Sequence, residues 1–249
     1  MALYSSLADE YYVNLALRTA LPLPQSRETI LGLFASLQKA FPSLTRFNVR
    51  EGGEVILESE KSEGRYSWFV MEREILLSGY LNPEAPEHAL EQHRRLLELV
   101  PYHLSINHLD VNTLDLTVGF DFYYRGNQHE LVAEALGSGL LESGLSELSR
   151  GRKLVSFEPD VTFALDEEAK LLCRVSVEPR TTLYQIRSGE YGEEPISVWF
   201  SLRRYGPLAA TEPLVDVLDA LARRAFDMID AFLVPTVVEP LARTIASRQ

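Results

Sequence analysis

Eight residues in the second half of the chain have side chains that could bind a ligand or move a proton. They are Asp115, Asp121, Tyr123, Arg174, Glu178, Arg180, Trp199 and Arg203. The carboxylates could act as a general acid or base, and the arginines could hold an anionic group. Along their predicted strands these residues alternate with apolar ones, which indicates a polar sheet face opposite the core. The first half offers a smaller set, Asn14, Arg18, Trp68, Glu72 and Glu74.

The same residues also have a purely structural interpretation. Opposite charges on adjacent strands commonly form cross-strand pairs, each worth about 0.2–1 kcal/mol. Aspartate and arginine occur in similar numbers in this set, which favours such pairing over chemistry. The two tryptophans and the many tyrosines indicate something more, because a wholly solvated face would not need them. We therefore expect a cleft or a packing surface on this face.

All five histidines fall between His88 and His129, a clustering that could indicate a metal site. The spacing argues against it. His88 and His93 are five residues apart on a predicted helix, so they do not share a face as ligands at i and i+4 would. We predict polar surface histidines and no metal.

Other motifs of cofactor and nucleophile chemistry are also missing from the sequence. Gly137, Gly139 and Gly144 follow a predicted helix instead of opening one, which does not fit a phosphate-binding loop. The chain has neither GxxxxGK[ST] nor GxSxG. Its single cysteine, Cys173, lies on the apolar side of a predicted strand and should be a buried small side chain. We predict no cofactor.

Hydrophobic periodicity predicts the elements that position these residues. In the first half, a strand around residues 11–17 precedes a helix with Ser26 as its N-cap. Three strands follow, the last running from Arg65 to Leu81, and a helix then ends at Pro101. Arg73 lies on the apolar side of that long strand, and a bend that turns it outward is the simplest explanation.

The second half repeats this order of elements. A strand from Asp115 to Tyr124 leads to a helix capped by Asn127 with Glu130. Leu140, Leu141 and Leu145 should anchor the next stretch. Three strands follow, the second covering residues 169–188, and an amphipathic helix closes the unit from about Glu212 to Pro235.

We therefore predict an α+β fold made of two copies of a β-α-β-β-β-α unit, residues 1–108 and 109–249. Its sheets should be mainly antiparallel, with helices packed on one face. The second unit carries the longer C-terminal helix. The length of that helix leaves room for contact with a partner near residues 232–241, although core packing alone would produce the same pattern.

The composition is typical of a soluble globular protein, with 46% hydrophobic residues and a net charge of −12. Such an acidic chain lacks the basic stripe that nucleic acid or an anionic membrane would need. The N-terminus does not read as a signal peptide, and no apolar run approaches the roughly 20 residues that span a bilayer. We expect a cytoplasmic protein.

The order of elements resembles that of the haem-binding dimeric α+β barrel proteins, such as chlorite dismutases. Those proteins generally place a haem-ligating histidine in the second half, whereas no histidine follows His129 here. The resemblance therefore implies no haem. We expect a non-catalytic binding or protein-interaction protein, whose partner is another protein or a copy of itself. The alternative is a small-molecule-binding protein or enzyme with a cleft between the polar faces of two sheets.

Overall fold

The computed structural model describes residues 4–62, 64–137 and 151–248, and one large antiparallel sheet dominates it. Its strands are β1 (Glu10–Thr19), β2 (Leu44–Val49), β3 (Val55–Ser59), β4 (Tyr66–Met71), β5 (Ile75–Leu81), β6 (Val111–Arg125), β7 (Asp160–Ala164), β8 (Leu171–Glu178) and β9 (Glu193–Tyr205). Within the described ranges these nine strands lie in the order β2-β3-β4-β5-β1-β6-β9-β8-β7. The predicted α+β class is confirmed.

Helices occur between the strands and at the C-terminus. They are α1 (Arg27–Ala40), α2 (Pro86–Leu104), α3 (Gln128–Leu136), α4 (Leu183–Ser188), α5 (Leu214–Met228) and α6 (Glu239–Arg248). A π-helical segment, Ile229–Val238, joins α5 to α6. None of the helices in the described ranges is both long and apolar enough to cross a membrane.

The central strand β1 decides which side of the sheet each side chain takes. Leu15 pairs with Ser78 of β5 on one side and with Leu116 of β6 on the other. Because alternate residues point to opposite faces, these three side chains share one face with the core. We call it the helix face, since α1, α2 and α5 pack there. In the described part of the chain no long helix covers the opposite side, which we call the open face.

The predicted long strand from Arg65 to Leu81 is two strands, β4 and β5. A tight turn at Glu72–Glu74 separates them, closed by a 2.9 Å hydrogen bond from Glu72 N to Ile75 O. Three consecutive charged residues favour a solvated turn over a buried strand. Arg73 therefore points into solvent, as the expected bend would make it do. Among its described residues, the first half has five strands where four were predicted.

The predicted strand over residues 169–188 is wrong in its second part. β8 ends at Glu178, directly before Pro179, which cannot donate a hydrogen bond to the sheet. Thr182 then caps α4, and Gln185 bonds back to the Thr182 backbone to complete a capping box. The T-x-x-Q spacing was the signal for this helix in the sequence.

Two prolines predicted to end helices lie inside them. α2 continues past Pro101 to Leu104, a residue buried in the core. The C-terminal helix likewise continues through Pro235. Around Pro235 it widens to the π-helical segment, whose looser turns accommodate a proline ring.

The predicted capping box at α3 is also wrong. Asn127 occupies the N-cap position without capping through its side chain, and its amide donates instead to Leu154 O (2.8 Å). Glu130 accepts from Leu154 N (3.2 Å). The two polar side chains thus hold a distant loop. Leu140, Leu141 and Leu145, the predicted anchors, lie outside the described residues.

Candidate functional site on the open face

Both tryptophans lie on the open face, one on each side of β1. Trp68 of β4 lies over Gly79 of β5, and Trp199 of β9 lies over Gly119 of β6. A Cβ placed on Gly79 would be 2.1 Å from the Trp68 ring, and one on Gly119 would be 2.2 Å from Trp199. The two glycines therefore let the rings lie flat on the strands that flank β1.

Two tyrosines extend this aromatic surface. Tyr12, on β1, has its ring centroid 5.8 Å from that of Trp199, and Tyr66 stacks on Trp68 at 5.0 Å. Beside the Trp68 end lies a row of apolar side chains on paired strands, Ile56, Val70, Leu77 and Ala16. Ile56 and Val70 are buried but lie outside the core beneath the helices. The first half of the open face is thus largely aromatic and apolar.

Carboxylates accept hydrogen bonds from the polar atoms of these aromatic rings. The pairs are Tyr12 with Glu10 (2.9 Å) and Asp121 (3.1 Å), Tyr66 with Glu58, and Trp199 Nε1 with Glu178 (3.1 Å). The pKa of Tyr66 rises to about 12, through burial and then through the bond to Glu58. Burial raises the pKa of Tyr12 as well. Each of these rings therefore has negative charge at its edge.

Asp121 is the most deeply placed of these acceptors, with only 5% of its surface exposed. Burial raises the pKa of Asp121 above its usual value, against the opposing effects of Ser197, Tyr12 and Arg180. Arg180 follows β8 and reaches this cluster by donating to Ser197 Oγ (3.0 Å). Asp121 Oδ1 is buried and has no hydrogen-bond partner of ordinary geometry in the described structure.

We expect Asp121→Asn to stabilise the protein by about 1 kcal/mol at neutral pH. Folding raises the pKa of Asp121, so the ionised carboxylate destabilises the folded protein. This destabilisation begins as the pH rises through the pKa of Asp121 in the unfolded chain, and it persists above the pKa of Asp121 in the folded protein. Urea unfolding at pH 7 and below about pH 4 measures this, and the gain should vanish at the lower pH. Asp115→Asn, at an equally buried carboxylate, is the control and should destabilise. A loss of stability in Asp121→Asn at neutral pH would contradict the prediction.

The second half of the open face is organised by cross-strand ion pairs. Arg203 of β9 makes two hydrogen bonds to Asp115 of β6 (2.9 and 2.8 Å), and Arg18 lies 3.8 Å from the same carboxylate. The hydrogen bond to Asp115 raises the pKa of Arg203. Arg174 pairs in the same way with Asp160 of β7 (2.9 and 2.7 Å). Two of the three arginines predicted to hold an anion, Arg174 and Arg203, are thus already paired with carboxylates.

A shallow cavity of about 370 Å³ lies between these ion pairs. Its lining is Asp115, Thr117, Thr162, Leu172, Arg174, Ser201 and Arg203. Three hydroxyl groups and two guanidinium groups converge there. Thr117 and Ser201 bond each other across it (2.8 Å). The cavity is polar and broad, and both of its arginines are held by carboxylates.

The predicted site residues fall into two separate groups, one around Asp115 and one around Asp121. Asp115 and Asp121 lie on the same face of β6, but six residues of strand, at roughly 3.4 Å each, separate them by about 20 Å. Tyr123 lies beyond Asp121, half-exposed, with its backbone N–H bound to Asp9 (2.7 Å). In the first half, Asn14 and Arg18 lie on β1, whose open-face residues pair directly with β6. Trp68 lies on β4, which β5 and β1 separate from β6, and Glu72 and Glu74 flank the β4–β5 turn.

Sequence reasoning named Asn14 but missed the other residues between the two tryptophans, Tyr12, Gly79 and Gly119. Tyr12 and Gly119 pair directly, as do Asn14 and Gly79, so all four lie at the centre of the open face. Their role follows from the register of β5, β1 and β6, which are distant from one another in sequence. A glycine inside a predicted strand was the available signal, because it often marks a close approach.

Two histidines are buried, although the sequence predicted that they lie on the surface. His93 is fully buried, with Nδ1 2.8 Å from Ser78 Oγ. His129 is also buried, between Thr181 O (3.1 Å) and Phe157 N (3.2 Å). Cys173 is buried, as predicted. Among the described residues no three His, Cys, Asp or Glu side chains are grouped as metal ligands.

The chain has no significant match among the protein-family models, the curated proteins or the solved structures with which it was compared.

Proposed function

We propose that the chain is a non-catalytic binding protein that holds a basic, aromatic-containing segment of a partner protein on its open face. One observation carries this proposal: Trp68 and Trp199 lie flat on glycines on either side of β1, with carboxylates at the aromatic edges. Both rings are partly exposed, and aromatic rings are favoured contacts at protein interfaces because they bury a large area at a small cost in conformational entropy.

The charge of the surface supports a basic segment. The chain carries a net charge of −12, and Glu10, Glu58 and Glu178 all lie on the open face beside aromatic rings. A lysine or arginine that reaches such a ring gains both a cation–π contact and a carboxylate partner.

The spacing of the carboxylates favours binding over catalysis. Asp115 and Asp121 are about 20 Å apart along β6, too far to act together as an acid and a base on one bond. Asp115 is also committed to Arg203. Since the two polar faces belong to one continuous sheet, they lie side by side and do not enclose the cleft that the enzymatic alternative needs.

A small-molecule site is the second candidate. The 370 Å³ cavity between Asp115 and Arg174 offers hydroxyl and guanidinium donors, which suit a carboxylate or phosphate group. Such an anion would have to displace the carboxylates from Arg174 and Arg203. That competition ranks the anion site below the aromatic surface.

We also propose that the chain contains a duplicated unit, residues 1–108 and 109–249, and that it acts in the cytoplasm. In each half the first strand is followed by a helix and pairs with the last strand of the same half. These pairs are β1 with β5 and β6 with β9. Within the part of the chain that the structure describes, the first half has one more strand than the second. The acidic charge and the single buried cysteine are compatible with a cytoplasmic protein.

Tryptophan fluorescence tests the binding proposal directly, because the chain's only two tryptophans are both on the open face. The probes are three synthetic peptides of equal length that alternate Lys with Phe, Lys with Ser, and Glu with Phe. The Lys–Phe peptide should shift the emission of both single-tryptophan variants, Trp68→Phe and Trp199→Phe. Its dissociation constant should be at least about tenfold lower than that of the Lys–Ser peptide.

Controls separate a specific surface from general attraction to an acidic protein. Tyr12→Leu should weaken binding of the Lys–Phe peptide, whereas Tyr102→Leu, at an exposed tyrosine on α2, should leave it unchanged. Equal binding of the two lysine peptides, or emission that no peptide changes, would refute the aromatic surface. If inorganic phosphate changed the tryptophan emission and none of the peptides did, the result would support the anion site instead.

A further inference from the structure

Strand β7 forms an edge of the sheet with nothing paired to its outer side in the described structure. All five of its residues are exposed, and β8 is its only described strand neighbour. An edge strand presents unpaired N–H and C=O groups in a row, which is a template for another strand.

The hydrogen bonds between β7 and β8 show which residues of β7 face outward. Leu165 N donates to Leu171 O, and Val177 N donates to Pro159 O. In an antiparallel pair hydrogen-bonded positions alternate, so Val161 and Phe163 bond to β8. The backbone groups of the alternate residues, Asp160, Thr162 and Ala164, therefore point away from the sheet.

The helix face beside β7 is an apolar groove of about 310 Å³. Its lining is Val161, Phe163, Cys173, Val175, Phe200, Met228, Phe232, Leu233, Thr236 and Val237. Three of its large side chains are at least half exposed, Val161 (50%), Phe163 (56%) and Phe232 (63%). The groove thus joins the free backbone edge to the π-helical segment. It lies on the opposite side of the sheet from the proposed partner surface.

We propose that β7 and this groove form the interface of a homodimer, in which β7 pairs antiparallel with β7 of a second copy about a two-fold axis at Thr162. The outward-facing residues then form three hydrogen-bonded pairs, Thr162 with Thr162 and Asp160 with Ala164 twice. The sheet becomes continuous through both copies.

The side chains of β7 are complementary to themselves in this register. Val161 faces Phe163 of the second copy at a non-hydrogen-bonded position, where side chains approach most closely. Both lie on the helix face, so the two apolar grooves merge across the axis. Asp160 faces Ala164 and is already neutralised by Arg174, so no like charges meet.

The other edge strand, β2, is less suited to pairing. Its register with β3 shifts between Leu44 and Arg46, and the charged side chain of Arg46 is exposed. Bulges and charged side chains are common protections of a sheet edge. A contact from β7 to β2 would also be head-to-tail and would build an open filament, whereas β7 with β7 closes as a dimer.

Sedimentation velocity and light scattering on the full chain test the dimer. The wild-type chain should sediment as a dimer, and added salt should strengthen it by screening the charge of −12 on each copy. Thr162→Pro removes an outward N–H and no bond to β8, so this variant should fold normally and become monomeric. Phe163→Glu should have the same effect through the groove.

Val49→Pro is the matched control because it removes an outward N–H from the other edge, β2. It should leave the dimer intact. A wild-type chain that stays monomeric at all concentrations, or a Thr162→Pro variant that remains dimeric, would overturn the proposal. Dimers abolished by Val49→Pro, or growth into filaments, would overturn it as well, because both require β2.

Discussion

Lowering the pH from 7 to about 3 should destabilise the fold by as much as about 4 kcal/mol through His93 alone. His93 is completely buried, and burial lowers its pKa from 6.5 to about 3. One unit of pKa difference between the folded and unfolded states corresponds to about 1.4 kcal/mol of stability. The expected loss is therefore large compared with the total stability of a typical domain.

The direction follows from which state binds the proton. The unfolded chain protonates His93 as the pH falls through 6.5, whereas the folded protein resists protonation down to about 3. The contribution of neutral His93 is therefore complete above pH 6.5 and is lost progressively between 6.5 and 3. The neutral imidazole is held by Ser78, whose hydroxyl lies 2.8 Å from Nδ1.

Urea unfolding between pH 7 and pH 4 measures this loss. His93→Gln, which retains a polar group for Ser78, should be less stable at pH 7 but show a much flatter dependence on pH. His88→Gln is the matched control, since His88 lies exposed on the same helix, and its pH dependence should follow the wild type. Parallel curves for His93→Gln and the wild type would show that His93 does not carry the effect.

Gly119→Ala should remove most of the affinity of the open face, at least about tenfold for the Lys–Phe peptide. A Cβ at this position would lie 2.2 Å from the Trp199 ring, so the ring must leave the sheet. Its contact with Tyr12 and its hydrogen bond to Glu178 would both be lost. Overpacking of this kind typically costs about 1–3 kcal/mol of stability.

The displacement can be measured in the Trp68→Phe background, where Trp199 is the only fluorophore. Its emission should move to longer wavelength and become easier to quench with acrylamide. Gly192→Ala is the control because its Cβ would meet only the Glu194 side chain, at an ordinary 3.6 Å. Unchanged emission together with unchanged peptide affinity in Gly119→Ala would show that the ring does not need the glycine.

Alternation along single strands was sufficient to predict which side chains share a face. Asp115 and Asp121 were assigned to the side of β6 opposite Leu116, and the structure agrees. The α+β class followed in the same way from local periodicity. These features depend on neighbours within a few residues, because the side-chain period of a strand is two and that of a helix is 3.6.

The local signals failed where packing or distant pairing decided the outcome. The helix runs through Pro235 because its apolar side chains remain on the core and the π-helical turns accommodate the ring. His93 is buried because α2 lies on β5, where Ser78 meets it. Neither outcome can be read from the residues adjacent in sequence.

The sequence alone thus determined the faces of the strands, the acidic charge and the fold class. Only the tertiary structure decided that Trp68 meets Gly79, that Trp199 meets Gly119 and that β7 is left at an edge. The physical reason is the register between strands. Register is set by long-range burial of the helix face, and a shift of one residue would turn every open-face side chain into the core.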